Sequence, residues 1–287
     1  MRPEELAKIM TPIRNDLDAF GELCASQHAR LSKFREEYPD LEVVFGAALE
    51  AGRLIISSIS LIRSMRPTET YRWIMWQTLF EYQKQSLLLI ITANTDAGLA
   101  LIRLAAELAR DVAVIRDSEE RLELWQKRRD SVRKREYRRI FQFDDASSVG
   151  AMAHKTYDLC SEFGVHGQVS DAMHLEPVGR FSASGRDELL VLRVSDSGVL
   201  SALQIWLTAF GSVQSLCLET FGVRHGRTLA EPHRLFMDTL EAIGPALKAI
   251  TKRLQECSAK PNCPTLDKSG HFSARPNGCG ARKRTTG

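Results

Sequence analysis

The chain has 287 residues, 44% hydrophobic and 26% charged, enough apolar material to bury one large core or two modest ones and ordinary for a soluble globular protein. Its net charge of +3 does not describe a uniformly basic molecule. Lys127–Arg139 (KRRDSVRKREYRR) sets eight Lys/Arg against Asp130 and Glu136, a net of +6, so everything outside that run sums to −3.

From the start, Met1-Arg2-Pro3-Glu4-Glu5 has acidic residues where a secretory signal needs an apolar run. Pro3 with Glu4-Glu5 can open a short helix, and Thr11-Pro12 restarts it with a cap and a first-turn proline. The three-and-four spacing of Ile13, Leu17, Phe20, Cys24, Leu31 and Phe34 carries it to about Tyr38, where Pro39-Asp40 breaks it. Leu41, Val44, Ala48, Ile55, Ile59 and Ile62 mark a second helix, expected to end at Pro67. Thr68 caps a third, through Trp73, Trp76, Phe80 and Leu87–Ile91. Asn94-Thr95 interrupts, and a fourth helix runs from about Asp96 to Arg116. Asp117 with Glu120 has the form of a capping box and starts a fifth helix, predicted to carry the whole basic run. Ser147 caps a sixth, ended by Gly164.

Between Glu176 and Asp196 the pattern changes to glycines, serines and the β-rich Glu188-Leu-Leu-Val-Leu-Arg-Val194, which predicts a small hairpin or extended insertion. Ser197–Leu218 then contains no charge, long enough to span a bilayer. Ser201, Gln204, Thr208, Gly211 and Ser215 recur along it at helical spacing, and no second apolar span is apparent. The reading is a central bundle helix whose small and polar stripe admits a close neighbour or lines a polar pocket, with no membrane partner. Thr228 with Glu231 forms another capping box, starting a last helix to about Cys257 with a kink at Gly244-Pro245. Residues 258–287 are poor in apolar side chains and carry a net +5, which predicts a disordered basic tail. The expected fold is all-α: a bundle of about eight helices over 1–257, with an insertion at about 176–196. Six cysteines without a CxxC pair fit a reducing cytoplasm.

Chemistry can reside in few places. On the fourth helix Leu101, Leu104, Ala105, Leu108, Val112 and Ile115 form an apolar stripe, with Arg103, Glu107 and Arg110 opposite. These three are either a solvated face of ion pairs or a charged ladder facing a pocket between helices. Downstream, Tyr157 and Ser161 stand one turn apart, and His166 follows the helix end at Gly164. It serves there as a proton donor or acceptor, or simply caps the last carbonyls.

Ile102-Arg103-Leu-Ala-Ala-Glu107 followed by Tyr157, Ser161-Glu162 and His166 resembles a family of uncharacterised bacterial all-helical proteins, in which an Arg-x3-Glu helix precedes a Tyr…Ser-Glu…His segment. The resemblance covers about Thr78 to Gly167. It implies a helical bundle, a bacterial source and convergence of Arg103, Glu107 and His166, and it supplies no reaction. The family often has a small hydroxyl residue after its His, whereas Gly167-Gln168 follows here, which puts any role for that hydroxyl in doubt.

Weaker patterns reduce to chance. Arg227 and His233 have the R-x5-H spacing of helical ribonucleases, but Pro232 lies between them and the capping box starts midway. Cys257, Cys263, His271 and Cys279 lack the paired spacing of a zinc site, so no metal and no cofactor is expected.

Read as one helix, the basic run places Lys127, Lys134 and Arg138 on one edge with Arg128, Arg135 and Arg139 beside them, and Trp125 and Val132 on the side that packs. It is a solvated face, a phosphate-contacting surface for RNA or DNA, or a surface for an acidic protein partner. Two function classes stay open. One is a binding module, contacting nucleic acid through Lys127, Arg128, Lys134, Arg135, Arg138 and Arg139. The other is a hydrolase of the phosphodiesterase or ribonuclease type, built from Arg103, Glu107, Tyr157 and His166.

Overall fold

Prolines open helices here rather than separating them. The structure, a computed structural model, describes residues 19–62, 64–164, 175–181, 189–194 and 196–258. Helix α1 (Ala19–Glu37) passes through Tyr38 into α2 (Pro39–Ser60), where Pro39 stands in the first turn and its missing N–H costs nothing. α3 (Pro67–Ile91) repeats the device. Pro67, expected to end the previous helix, begins this one, and α2 has already stopped at Ser60. Thr68 is not the cap: it is buried inside the first turn, and the Arg66 backbone N–H is satisfied by Glu69 Oε2 at 2.7 Å. The segments expected before residue 19, with Thr11-Pro12, lie outside the described residues.

α4 (Thr95–Ile115) follows a turn in which Ala93 takes a positive φ of 62°. It packs against α3 at close range. A Cβ on Gly98 would stand 2.6 Å from the Ile90 side chain, so glycine is required for that approach. Ala105, Val112 and Ile115 of the expected α4 stripe are buried, but Leu101 and Leu108 are only half-buried. The buried stripe is Gly98, Ile102, Ala105, Ala106, Ala109, Val112 and Ile115, while Leu104 is 42% exposed. Small residues bring the axes together, and the leucines fill the flanks.

Where one basic helix was expected, the chain makes two. α5 (Glu119–Gln126) starts at Ser118, whose hydroxyl accepts from Arg121 N at 3.2 Å, and not at Asp117. It ends as Arg128 folds back over the Trp125 ring, 3.8 Å from its centroid, and donates to the Trp125 carbonyl. Asp130, in extended conformation, then precedes α6 (Ser131–Ile140). α7 (Ser148–Gly164) starts as expected at Ser147, whose hydroxyl accepts from Gly150 N. In the insertion, strands β1 (Leu175–Phe181) and β2 (Leu189–Val194) pair antiparallel, with an irregularity between Pro177 and Gly179.

α8 (Asp196–Ser258) is two helical arms, broken at His225 (φ −114°, ψ 19°) and not at Thr228. In a straight helix Gln204 and Thr251 would stand roughly 70 Å apart, yet their side chains lie 3.5 Å from each other. The arms therefore fold back as an antiparallel pair. The small and polar stripe of the first arm meets the second. A Cβ on Gly211 would lie 3.1 Å from Leu240, and Ser215 lines a mainly apolar cavity of about 520 Å³ between the arms. At Gly244-Pro245, where a kink was expected, the backbone stays helical.

The fold is an all-α multi-helix bundle. Its core gathers Phe45, Trp76, Leu79, Trp206, Phe210 and Phe236 from α2, α3 and both arms of α8. Trp206 stacks on Phe210 and donates to the Gln83 carbonyl at 2.8 Å. Among the described residues two segments are long and apolar enough to cross a membrane, correcting the expectation of one: Pro39–Ser60 and Asp196–Phe221, with mean hydropathies of 1.5 and 1.3. Leu41, Phe45, Ile55 and Ile59 of the first, and Leu203, Trp206, Leu207 and Phe210 of the second, are buried in the bundle. The chain beyond Ser258, with Cys263, His271 and Cys279, lies outside the described residues.

Candidate functional site

Arg103, Glu107 and Arg110 do share one face of α4, and each is half-buried beneath neighbouring elements, with side-chain exposures of 25%, 31% and 15%. At the upper end Arg103 Nε stands 3.3 Å from Glu107 Oε1, an ion pair without hydrogen-bond alignment. Arg103 Nη2 donates to the Tyr157 hydroxyl at 3.2 Å, and the guanidinium carbon sits 5.0 Å from that ring's centroid. Three of the four expected site residues thus converge; His166 lies outside the described residues.

Two turns along, a second Arg–Tyr pair is tied to a buried carboxylate that sequence reasoning missed. Asp111 accepts from Arg110 Nε and Nη2 at 3.0 and 2.7 Å, from the Tyr137 hydroxyl at 2.9 Å and from Trp125 Nε1 at 2.8 Å. Burial opposes the Arg110 charge, but Asp111 and then Tyr137 outweigh it and hold its pKa above the ordinary value. Burial, reinforced by Asp111, pushes the Tyr137 phenol up, so it remains a neutral donor. Consecutive residues on a helix normally diverge. The long Arg110 side chain curls back to its neighbour, and no spacing rule signals that.

Phe143 joins the two ends. Arg110 lies 5.5 Å from its centroid, Tyr157 tilts against it at 5.6 Å, and His154 stacks on it at 4.9 Å. His154 Nδ1 lies 2.8 Å from Asp145 Oδ1, with Asp158 on its other side at 3.7 Å. A further polar group was also missed. Glu69 and Arg72 are each 1% exposed, and Glu69 Oε1 lies 3.0 Å from Nε2 of His225 at the break in α8. Arg72 donates to the Thr220 carbonyl at 3.2 Å, lies 4.5 Å from the Phe221 centroid and stands 3.7 Å from Asp117. Burial lowers its pKa, partly offset by Asp117. Asp117 serves this contact instead of the predicted cap.

The basic surface is narrower than the sequence suggests. Lys127 pairs with Glu123 at 2.5 Å and Arg128 lies on Trp125, so neither belongs to the outer face. Arg133 pairs with Glu136 at 2.8 Å. Lys134, Arg135, Arg138 and Arg139 are exposed, and no ion pair to a carboxylate is formed by any of them among the described residues. They form two rows, 134–138 and 135–139, each spanning one helical turn. Val132, expected to pack, is 85% exposed. On the opposite side Tyr137 reaches Asp111 and Ile140 packs inward, which pins the helix to the bundle.

His233 is exposed on the second arm of α8, with Pro232 and the helix continuing between it and Arg227. Among the described residues no group of three His, Cys, Asp or Glu is placed to hold a metal ion. No protein-family model matches the chain, and no curated protein and no solved structure matches it.

Proposed function

We propose that this protein is a binding module that contacts the sugar–phosphate backbone of RNA or DNA through the outer face of α6. The observation that carries the reading is the quartet Lys134, Arg135, Arg138 and Arg139: four exposed cations in two rows without carboxylate partners among the described residues. Most surface charge runs are laced by intrahelical pairs, as Arg133–Glu136 is here. Cations left unpaired on a helix fixed from behind keep their charge for an external anion, and each phosphate they neutralise releases a counterion. Contact of this kind reads charge and shape rather than base sequence.

The test is binding of labelled duplex and single-stranded oligonucleotides across a salt series, with cleavage read from the same samples. Replacing the quartet with Gln should flatten the salt dependence on duplex DNA by about 0.9 log units for each phosphate no longer neutralised, roughly 3 to 4 in all. An unchanged slope, or no binding at low salt, overturns the reading and leaves an acidic protein surface as the partner to seek. Cleavage abolished by His166→Ala would instead favour a hydrolase in which Arg103 holds the anion and Glu107 orients that arginine.

A further inference from the structure

Beside the C-terminal end of α6 lies a cavity of about 210 Å³ into which three arginines from separate places in the chain converge: Arg110 of α4, Arg116 just after it, and Arg121 of α5. We propose that this cavity is a binding site for a phosphate-type dianion, inorganic phosphate or the terminal monoester of a nucleic-acid strand; only the second source rests on the function proposed above.

Two of the three guanidiniums are held in place without using all their donors. Asp111 grips Arg110 through Nε and Nη2, and no hydrogen bond is made by Nη1 among the described residues. Arg121 spends Nη1 on the Val114 carbonyl at 2.8 Å, which leaves Nε and Nη2. Fixed guanidiniums with spare donors suit a tetrahedral anion, because little side-chain freedom is lost on binding.

Arg116 adds an independent sign. It has a φ of 43°, in the region that favours glycine, at the first corner of a turn closed by Ser118 N to the Ile115 carbonyl at 2.9 Å. An arginine held in this conformation is a feature that turn economy alone does not select. The same turn carries Asp117 to the buried Arg72 and leaves Arg116 lining the cavity. Gln142 and Ser147 add neutral polar groups to the lining.

Asp144 and Glu219 also border the cavity, and both are exposed to water. Asp144 Oδ1 is already engaged by Ala146 N at 3.2 Å. Arg116 and Arg121 are exposed as well, and Arg110 is half-buried and paired with Asp111, so solvent screens cations and carboxylates here alike. What distinguishes phosphate from chloride here is its several acceptor oxygens, which the spare donors of Arg110 and Arg121 can meet together. The volume admits a phosphate and part of the group that carries it. Ile140 and Gln142, at and just beyond the C-terminal end of α6, line the cavity, so a strand end would reach it by passing that end of the helix.

The full chain is melted with inorganic phosphate against chloride at equal ionic strength, alongside Arg116→Gly and Arg121→Gln variants. Glycine suits the φ at position 116, so Arg116→Gly removes the cation without disturbing the turn. Phosphate should raise the wild-type midpoint by roughly 2–4 °C at large excess over its dissociation constant, and leave both variants close to their chloride values. Equal rises in all three proteins, or none in the wild type, overturn the proposal. A second arm compares 5′-phosphorylated with 5′-hydroxyl oligonucleotides. About tenfold tighter binding of the phosphorylated strand, abolished in Arg116→Gly, assigns the site to a strand end. Equal binding of the two strands with the phosphate effect intact assigns it to free phosphate. The α6 quartet variant should still respond to inorganic phosphate, so failure of the nucleic-acid reading and failure of this site give different results.

Discussion

Arg103–Tyr157 and Arg110–Tyr137 are the same pair of residue types, repeated seven residues apart on one face of α4, yet they differ in kind. Arg110–Tyr137 closes on Asp111, a carboxylate with 5% side-chain exposure whose two oxygens are occupied by Arg110, Tyr137 and Trp125. Arg103–Tyr157 closes on Glu107, with 31% of its side chain exposed and only an unaligned ion pair to offer. The first is a joint: it ties α4, α5 and α6 together through one buried charge. The second is an adjustable contact between α4 and α7, wet on one side. Similar chemistry thus does different work, and the difference lies in whether the carboxylate is dry.

The largest effect expected from breaking that comparison is at Asp111. Asp111→Ala leaves Arg110 half-buried without its counter-ion and strands the Trp125 and Tyr137 donors. Loss of one member of a buried pair costs about 3–5 kcal/mol, and a urea titration should find destabilisation at the lower end of that range, because Arg110 retains some access to water. A cost below about 1 kcal/mol would show that Asp111 is not the joint. Tyr137→Phe comes next. It removes the hydroxyl that bonds both Asp111 and Arg110 but keeps the ring that packs on Phe141, 4.5 Å away. The expected loss is about 1–2 kcal/mol. Because Tyr137 fixes α6 from behind, the same variant should weaken oligonucleotide binding with no change in salt slope, since no phosphate-facing cation is removed. Unchanged affinity would mean that the quartet acts without the support of the joint.

How much of this was legible in the sequence follows from which signals are local. Helix periodicity located the helical stretches among the described residues, and Ser147 was readable as a cap because its hydroxyl bonds three residues ahead. A pocket of Arg103, Glu107, Tyr157 and His166 was one of two alternatives the sequence left open; the first three lie together, and the fourth falls outside the described residues. Three things were not legible. Asp111 was hidden because its partners come from the adjacent residue and from two other elements. The split of the basic run turned on Arg128 folding onto Trp125, although Asp130-Ser131 offered an ordinary helix-start signal inside the run. The buried stripe of α4 was half right, with Ala105, Val112 and Ile115 in place, but Ala106 and Ala109 were passed over because alanine registers weakly in hydropathy beside Leu101, Leu104 and Leu108. In each case a tertiary contact decided between local options that were close in energy.

The open end of the comparison should respond least, and Cys160 beneath it provides a sensitive reporter. Tyr157→Phe removes one hydrogen bond from a half-exposed arginine, and the ring and its cation–π contact remain. The expected change in stability is within about 0.5 kcal/mol. Cys160 is fully buried, and burial, slightly offset by Arg103, pushes its thiol up to about 12. At pH 8 the thiolate is then scarce and enclosed, so an alkylating reagent should modify the exposed Cys24 quickly and reach Cys160 only when the bundle opens. If the Arg103–Tyr157 contact is merely adjustable, Tyr157→Phe leaves the Cys160 rate close to that of the wild type. A rate raised tenfold or more, without a matching fall in global stability, would show that this contact gates a local opening between α4 and α7. The pair would then be a second joint, held by the tyrosine hydroxyl where the first is held by a buried carboxylate.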